Sequence, residues 1–298
     1  MFNLVFLDKV DDFQRKSKVL GFVYGVIKKY GTDHGGYLAA LITYYGFLSI
    51  FPILLVLITL FQLIFGTKSS VRERVITSVA HYFPLLSNQL QQNVHAQSGE
   101  GLGFAIGLIL TLYGARGGVN SLVYCLNSVW HVALDKRGNF WTNLQNSMVI
   151  LLTGGTGLMI ATAVSGFSSV VGYNGYFKLL LNALGILLIA VVLTSVSLLA
   201  LRHHVKIKFK DMLYGNLICA VALQILLTFG GLLMKHELSK LNEVYGTFAV
   251  VLGMIFWMYL LAQVFVYTAE ANSVYYWRLW PRSIRGIATD ADLRTPKI

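Results

Sequence analysis

The sequence predicts an all-α integral membrane protein. Of its 298 residues, 56% are hydrophobic and only 12% are charged, whereas soluble domains carry about 25% charged residues. Six segments are also long and apolar enough to cross a bilayer as helices, which takes about 20 residues each. These predicted spans cover residues 38–66, 102–130, 147–171, 178–201, 212–234 and 246–269.

The distribution of basic residues predicts how these spans are oriented. Most of the 24 lysines and arginines fall on one side of the predicted membrane, at the two ends of the chain and in the loops near residues 136 and 206. Loops rich in Lys and Arg stay in the cytosol, so both termini are expected there. Topology therefore accounts for the net charge of +11, and nucleic acid is not expected as a partner.

The chain divides into three predicted regions. Residues 1–32 form a cytosolic amphipathic helix, 33–278 the six-span domain, and 279–298 a cytosolic tail. The apolar face of the first region runs from Phe13 to Tyr30, with lysines opposite, which fits a helix on the inner leaflet and equally a helix packed beneath the bundle. Residues 67–101 are predicted to form two short helices at the outer surface.

Arg116 is the most unusual residue in a predicted span. A guanidinium at the centre of a membrane costs about 2.5–3.5 kcal/mol on insertion scales, so something must compensate for it. At helical spacing Arg116 shares a polar face with Asn120, Tyr124 and Asn127. The second predicted span thus carries a row of polar residues along one face.

Other spans carry matching polar residues. The sixth span has a stripe with spacings of four, four and three residues, made of Tyr259, Gln263, Tyr267 and Glu270. The first span contributes Tyr44, Tyr45 and Ser49, followed by Pro52, which predicts a kink or hinge.

Together the stripes predict a polar cavity that opens to the cytosol and has Arg116 at its deep end. Its predicted substrate-binding residues are Arg116, Asn120, Tyr124, Asn127, Tyr44, Tyr45, Ser49, Tyr259, Gln263, Tyr267 and Glu270. The alternative is that Arg116 snorkels or binds carbonyls freed near its glycines. Glu270 is the natural counter-charge for Arg116, but it lies a couple of turns nearer the cytosol, which argues against a direct pair.

No catalytic centre, metal site or cofactor is predicted. Cys125 and Cys219 lie in apolar segments without a metal-ligand spacing. The cytosolic acids are scattered along the chain, whereas hydrolysis needs groups that converge on one site. The sequence therefore does not predict an enzyme.

Three stretches resemble the YihY/BrkB family of bacterial plasma-membrane proteins: TYYGFLSIFPILLVL from Thr43, LNSVW from Leu126 and VYGTFAVVLGMIFWMYLLAQVFVYTAEAN from Val244. The resemblance implies six spans in the bacterial inner membrane with both ends inside. It also implies a role in transport or lipid-related export, and the family has carried a ribonuclease label.

The predicted function is a transporter or flippase-like protein that moves a polar or amphipathic, anionic substrate through the cytosol-facing cavity. The alternative is a non-catalytic membrane assembly or lipid-organising protein. The predicted partners are membrane lipids and an anionic small molecule or lipid headgroup, and homo-oligomerisation is left open.

Overall fold

A computed structural model of the chain describes residues 11, 13, 16–49, 116–133, 140–170, 175–202, 205, 207–245 and 247–283. These residues form seven helices and no strand. The helices are α1 (Lys18–Thr32), α2 (35–49), α3 (116–129), α4 (Phe140–Val170), α5 (Gly175–Leu201), α6 (Phe209–Tyr245) and α7 (Thr247–Trp277). The all-helical fold predicted from the sequence is therefore confirmed for the described part of the chain.

Three of the described helices contain segments long and apolar enough to cross a membrane: Leu179–Leu201, Phe209–Leu227 and Val251–Trp277. They correspond to the predicted spans 178–201, 212–234 and 246–269, the last of which extends further toward the C-terminus than predicted. The predicted span 147–171 lies in α4. Residues 50–115, which include the predicted hinge Pro52 and the predicted outer helices, lie outside the described residues, so the number of six spans stays a prediction.

The chain divides into two compact units. Unit 1 comprises Met1–Leu41, Leu122–Ile225 and Leu261–Ile298, and unit 2 comprises Ile42–Ser121 and Leu226–Leu260. Unit 1 contains α1, α4, α5 and parts of the remaining described helices.

Small residues allow α4 and α5 to pack closely in unit 1. A Cβ added to Gly157 would lie 2.4 Å from Val192 Cγ2, so the position accepts no side chain without a shift. One turn further, Ala161 is fully buried in a cluster with Ile189, Ala190 and Ala220. Close backbone approach at small residues is a common source of helix association in membranes.

A ladder of buried polar side chains joins α7, α6 and α5. Asn272 Nδ2 donates to Asn216 Oδ1 (3.2 Å), and Asn216 Nδ2 donates to Thr194 Oγ1 (3.1 Å). Thr194 in turn donates to the carbonyl of Ala190 within its own helix (2.7 Å). Each buried polar group thereby gains a partner that lipid could not supply.

The N-terminal helix α1 packs against the end of α7 within unit 1. Its Gly21 and Gly25 are buried, and a Cβ on Gly25 would lie 3.2 Å from the carbonyl of Leu279. Phe22 meets Trp280 edge to face at 5.4 Å between ring centroids. The sequence fits both a helix on the inner leaflet and a helix packed beneath the bundle. The contacts of α1 with the end of α7 are those of a packed helix.

The two faces of α1 differ from the predicted division into apolar and basic sides. Its buried face includes Lys29, while Val19, Val23 and Ile27 on the predicted apolar side are largely exposed. The prediction that all the lysines lie away from the packed face is therefore wrong for Lys29. The physical reason is a set of acceptors for its ammonium, contributed by Asp33 at the end of α1 and by other helices.

The substitution Gly215→Ala should destabilise the protein. A Cβ at Gly215 would lie 1.7 Å from Asn272 Oδ1, so the ladder must shift, and such overpacking costs about 1–3 kcal/mol. Thermal unfolding in detergent measures the loss. The matched control is Gly155→Ala, where the added Cβ meets nothing within 4 Å. Equal stability of both variants would contradict the role given to Gly215.

Candidate functional site

The polar stripe on α7 is where α1 docks. Tyr30 donates a hydrogen bond from its hydroxyl to Gln263 Oε1 at 2.5 Å. The ring of Tyr30 also stacks on Tyr267, with centroids 4.0 Å apart and planes 8° from parallel. Three residues further along α7, Glu270 binds the neighbouring residue of α1, Lys29. Three members of the stripe predicted from the sequence, Gln263, Tyr267 and Glu270, thus contact one helix.

Lys29 is the centre of these contacts. Its ammonium lies 2.6 Å from Glu270 Oε2, 2.5 Å from Asp33 Oδ2 and 2.8 Å from the carbonyl oxygen of Val129. An ammonium has three donors, and each has an acceptor here. The Lys29 and Glu270 side chains are only 1% and 0% exposed, so this is an ion pair removed from solvent.

One further group, His131, completes what we call the charge cluster, defined as Lys29, Asp33, His131 and Glu270. His131 Nε2 lies 3.3 Å from Asp33 Oδ2, and its side chain is partly exposed. The second carboxylate oxygen of Glu270, Oε1, is buried and has no hydrogen-bond partner among the described residues. The cluster therefore has an open edge at His131 and an unused acceptor at its interior.

The end of α3 places His131 at this edge. The N–H of Val132 donates to the carbonyl of Asn127 at 2.8 Å, and His131 has a positive φ of 55°. This is the pattern of a Schellman-type helix end, in which one left-handed residue reverses the chain. A residue other than glycine pays about 1–2 kcal/mol for this conformation, and here it brings the imidazole to Asp33.

The charges of the cluster do not sum to zero when Asp33, Glu270 and Lys29 are ionised and His131 is neutral. The cluster contains two carboxyl groups and one ammonium, so neutrality requires a proton on Glu270, Asp33 or His131. Removing ions from water costs several kcal/mol each, and only good geometry offsets that cost. The cluster meets that requirement at Lys29, but leaves Glu270 Oε1 without a donor.

Asp33, at the C-terminal end of α1, is the acid of the cluster nearest to solvent. Burial by itself raises its pKa, but the hydrogen bond from His131, the charge of Lys29 and the hydrogen bond from Lys29 together lower the pKa below its ordinary value of 3.8. Asp33 therefore stays ionised at neutral pH and holds the ammonium of Lys29 together with Glu270.

Lys29 was not among the residues predicted from the sequence. The sequence offers Glu270 as a counter-charge for Arg116 but argues against a direct pair; in the structure Glu270 pairs with Lys29, which is 241 residues away in the chain. One signal was available: Gly21, Gly25 and Lys29 recur every four residues, which places the lysine on the same narrow ridge as two glycines.

In unit 2, the structure brings together the predicted residues of the first span and the start of α3. The N–H of Gly118 donates to Ser49 Oγ at 3.1 Å, and Ser49 donates to the carbonyl of Tyr45 at 2.6 Å. Tyr44 and Tyr45 meet edge to face at 5.2 Å. A Cβ on Gly118 would lie 2.8 Å from Ser49 Oγ, so the glycine is needed for this approach.

Arg116 is buried in unit 2, at 8% exposure. On α3 the predicted polar face does not stand apart, because Val119, Leu126 and Val129 on the opposite face are equally buried. Tyr124 is exposed. The sequence of a helix shows which residues share a face, but it does not show which of them are covered by neighbouring helices.

The remaining predicted residues have different surroundings. Asn127 is buried and its Oδ1 has no hydrogen-bond partner among the described residues. Asn120 and Tyr259 are half-buried. Their role in binding a substrate stays a prediction.

A groove of about 780 Å³ lies between α1, α6 and α7 in unit 1. Its walls are almost wholly apolar, formed by residues such as Val23, Ile27 and Ile218. Tyr267 is the member of the predicted substrate-binding set that lines it, and Arg116 is not among its lining residues. The volume is within the range of about 300–1,000 Å³ that is usual for small-molecule sites.

Among the described residues, no three His, Cys, Asp or Glu side chains are arranged to hold a metal ion. The groups of the charge cluster can bind and release protons and can form and break ion pairs. The groove can hold an apolar chain.

Replacing Lys29 by methionine should lower the free energy of unfolding by about 3–5 kcal/mol at neutral pH, because it leaves buried carboxylates without their cation. Lys16, which is exposed, provides the control variant Lys16→Met, expected to change stability by less than about 0.5 kcal/mol. The double variant Lys29→Met/Glu270→Gln should lose much less than the sum of its single variants. Additive losses would show that the two residues do not interact.

Acid should weaken the protein through Asp33. A carboxyl whose pKa is lower in the folded state stabilises the fold above its ordinary pKa of 3.8, and that contribution is lost as the pH falls through the folded-state pKa. Chemical unfolding at about pH 6 and about pH 3 measures the difference. The variant Asp33→Asn should lose less unfolding free energy on acidification than the wild type. An equal loss in both proteins would show that Asp33 is not the source of the acid sensitivity.

Comparison with known proteins identifies the family. The family model described as "Virulence factor BrkB" matches residues 26–285, which includes the charge cluster, the described helices α2 to α7 and most of the groove. No curated protein and no solved structure gives a significant match. The match to most of the chain, together with the apolar spanning helices, shows that the chain is a membrane protein belonging to the YihY/BrkB family.

Proposed function

We propose that this protein is a transporter or flippase-like carrier for an amphipathic substrate that bears an anionic group. The observation that carries the proposal is the charge cluster, in which Glu270 lies within a membrane-spanning segment and is completely buried. Ionisable groups at such positions are costly and usually mark pathways for substrates, ions or protons. A purely structural tie between α1 and α7 could be made by apolar residues at lower cost.

The groove supports the amphipathic nature of the substrate. It lies beside the cluster, since α1 contributes Lys29 to the cluster and Val23 and Ile27 to the groove wall. Its apolar walls suit a hydrocarbon chain better than a polar metabolite. This narrows the polar or amphipathic substrate predicted from the sequence to the amphipathic one.

The charge cluster supports coupling to protons. A proton on Glu270 would weaken its attraction for Lys29, and with it the hold of α7 on α1. Among the described residues of unit 1, the titratable groups that interact with Glu270 are Lys29, Asp33, His131 and, on α3, Cys125. No nucleotide-binding motif of the Walker type occurs in the sequence, so an ion gradient is the proposed source of energy.

The anionic group of the substrate would bind Arg116, whose planar guanidinium suits phosphate or carboxylate. In this proposal neutral hydrogen bonds come from Asn120 and Asn127, and Pro52 acts as a hinge. The proposed setting is the bacterial plasma membrane with both termini in the cytosol, supported by the bias of basic residues toward one side. No enzymatic activity is proposed.

A lipid-organising or assembly role is the second candidate. It is favoured by the contacts of Gln263 and Tyr267 with Tyr30, because a polar stripe that binds another helix of the same chain needs no substrate. Movement of a substrate across a membrane distinguishes the two candidates.

The test is reconstitution into liposomes with fluorescent phospholipids and anionic amphiphiles, in which an impermeant quencher reports movement between leaflets. Movement of a substrate between leaflets should be faster in liposomes with the wild-type protein than in protein-free liposomes. Arg116→Ala should lower this rate at least about tenfold, because one charge-assisted contact with the substrate is lost. Glu270→Gln should flatten the dependence of the rate on pH.

Lys16→Gln is the matched control and should behave as the wild type. Each variant is first checked for folding by thermal unfolding in detergent, so that a misfolded variant is not scored as inactive. Folded wild-type protein that moves none of the amphiphiles would reject the carrier and favour the assembly role. An unchanged pH profile in Glu270→Gln would reject proton coupling at this residue.

A further inference from the structure

We infer that the groove between α1, α6 and α7 binds a membrane phospholipid whose headgroup carries both a phosphate and a primary ammonium, with one acyl chain lying between the helices and the headgroup held by Lys18 and Asp211. This inference deepens the proposed function by naming its substrate class. It rests on that proposal for the movement of the lipid, but not for its binding.

The relative direction of the helices places both charged residues at the same end of the groove. Phe22 of α1 contacts Trp280 just after α7, whereas Tyr30, eight residues later, contacts Tyr267. The two helices therefore run in opposite directions, and the start of α1 lies at the end of α7. On α6, Cys219 lies at Thr268 and Asn216 at Asn272, so α6 also runs opposite to α7 and its first turn, with Asp211, lies toward the end of α7. Asp211 lines the same groove as Lys18 and Trp280.

The walls beyond this end match a hydrocarbon chain. Val19 and Ile27 of α1 are 70% and 53% exposed, and Ile218 of α6 is 71% exposed. Large contiguous apolar surface is rare on proteins in water and marks contact with apolar partners. In a membrane protein, side chains with this exposure at a groove bordered by two helices that are long enough to span the membrane, here α6 and α7, face acyl chains. A peptide would find few hydrogen-bond partners along these walls.

The charged end of the groove selects the headgroup. Lys18 offers an ammonium to a phosphate, and Asp211 offers a carboxylate to a cation. A headgroup with only negative charge would leave Asp211 facing a like charge, and a quaternary ammonium cannot donate a hydrogen bond to it. A primary ammonium satisfies Asp211 with a charge-assisted hydrogen bond, the stronger type of such bonds. The aromatic rings of Tyr275 and Trp280 lie at this end, as aromatic side chains do at membrane interfaces.

The experiment is native mass spectrometry of the full-length protein in detergent, with added phosphatidylethanolamine, phosphatidylcholine or phosphatidylglycerol carrying identical acyl chains. We expect phosphatidylethanolamine to be retained about fivefold to tenfold more than either other lipid, the effect of one charge-assisted hydrogen bond. Asp211→Asn should remove this preference while the protein still binds lipid.

The variant Ile218→Trp fills the groove and should reduce the retention of all three lipids. Its matched control is Leu180→Trp, at a residue of α5 that is 64% exposed and is not among the residues lining the groove. For the headgroup, Lys18→Gln should weaken lipid binding and Lys16→Gln should not. Thermal unfolding confirms that each variant is folded.

Two results would overturn the inference. Equal retention in Ile218→Trp and Leu180→Trp would show that the lipid does not occupy the groove. A preference for phosphatidylglycerol would show that Asp211 does not select the headgroup. The same conclusion would follow if the preference for phosphatidylethanolamine were unchanged in Asp211→Asn. If the protein binds phosphatidylethanolamine but does not move it in liposomes, the proposed carrier is rejected and the binding site stands. If the protein moves another amphiphile but does not retain phosphatidylethanolamine, the binding site is rejected and the carrier stands.

Discussion

The burial of Lys29 is the constraint on which the described part of unit 1 depends. A lysine side chain that is 1% exposed is stable only where its ammonium has anionic and carbonyl acceptors on all sides. Those acceptors come from α1 itself, from α7 and from the end of α3. Three helices that are distant in sequence are therefore held together at a single cation.

The residues around Lys29 allow the close helix approach and supply the acceptors that a buried ammonium needs. Gly25 lets α1 approach Leu279 closely enough for the next residue on the same ridge, Lys29, to reach Glu270. The hydrogen bond of Ser273 to the carbonyl of Val129 fixes one of the acceptors. A neutral ladder of Thr194, Asn216 and Asn272 extends the same principle to α5 and α6. Polar residues in the apolar helices of this unit thus meet one another instead of lipid.

The position of α1 links this constraint to the proposed function. One face of the helix carries Lys29 into the charge cluster, and a neighbouring face, with Val23 and Ile27, forms a wall of the groove. A change in the charge of the cluster would therefore act on the element that borders the groove. In the proposed function, α1 would link a proton on the cluster to the substrate in the groove without a long chain of intermediate contacts.

The sequence alone determined the helical class, the three spanning segments found among the described residues and the stripe of Gln263, Tyr267 and Glu270. These features follow from local periodicity and from the free energy of transferring side chains into a bilayer. The folded chain was needed to show that Lys29 is the partner of Glu270 and that Val119, Leu126 and Val129 of α3 are buried. Pairing between residues 241 positions apart depends on how helices pack, and the spacing of residues within each helix does not encode it.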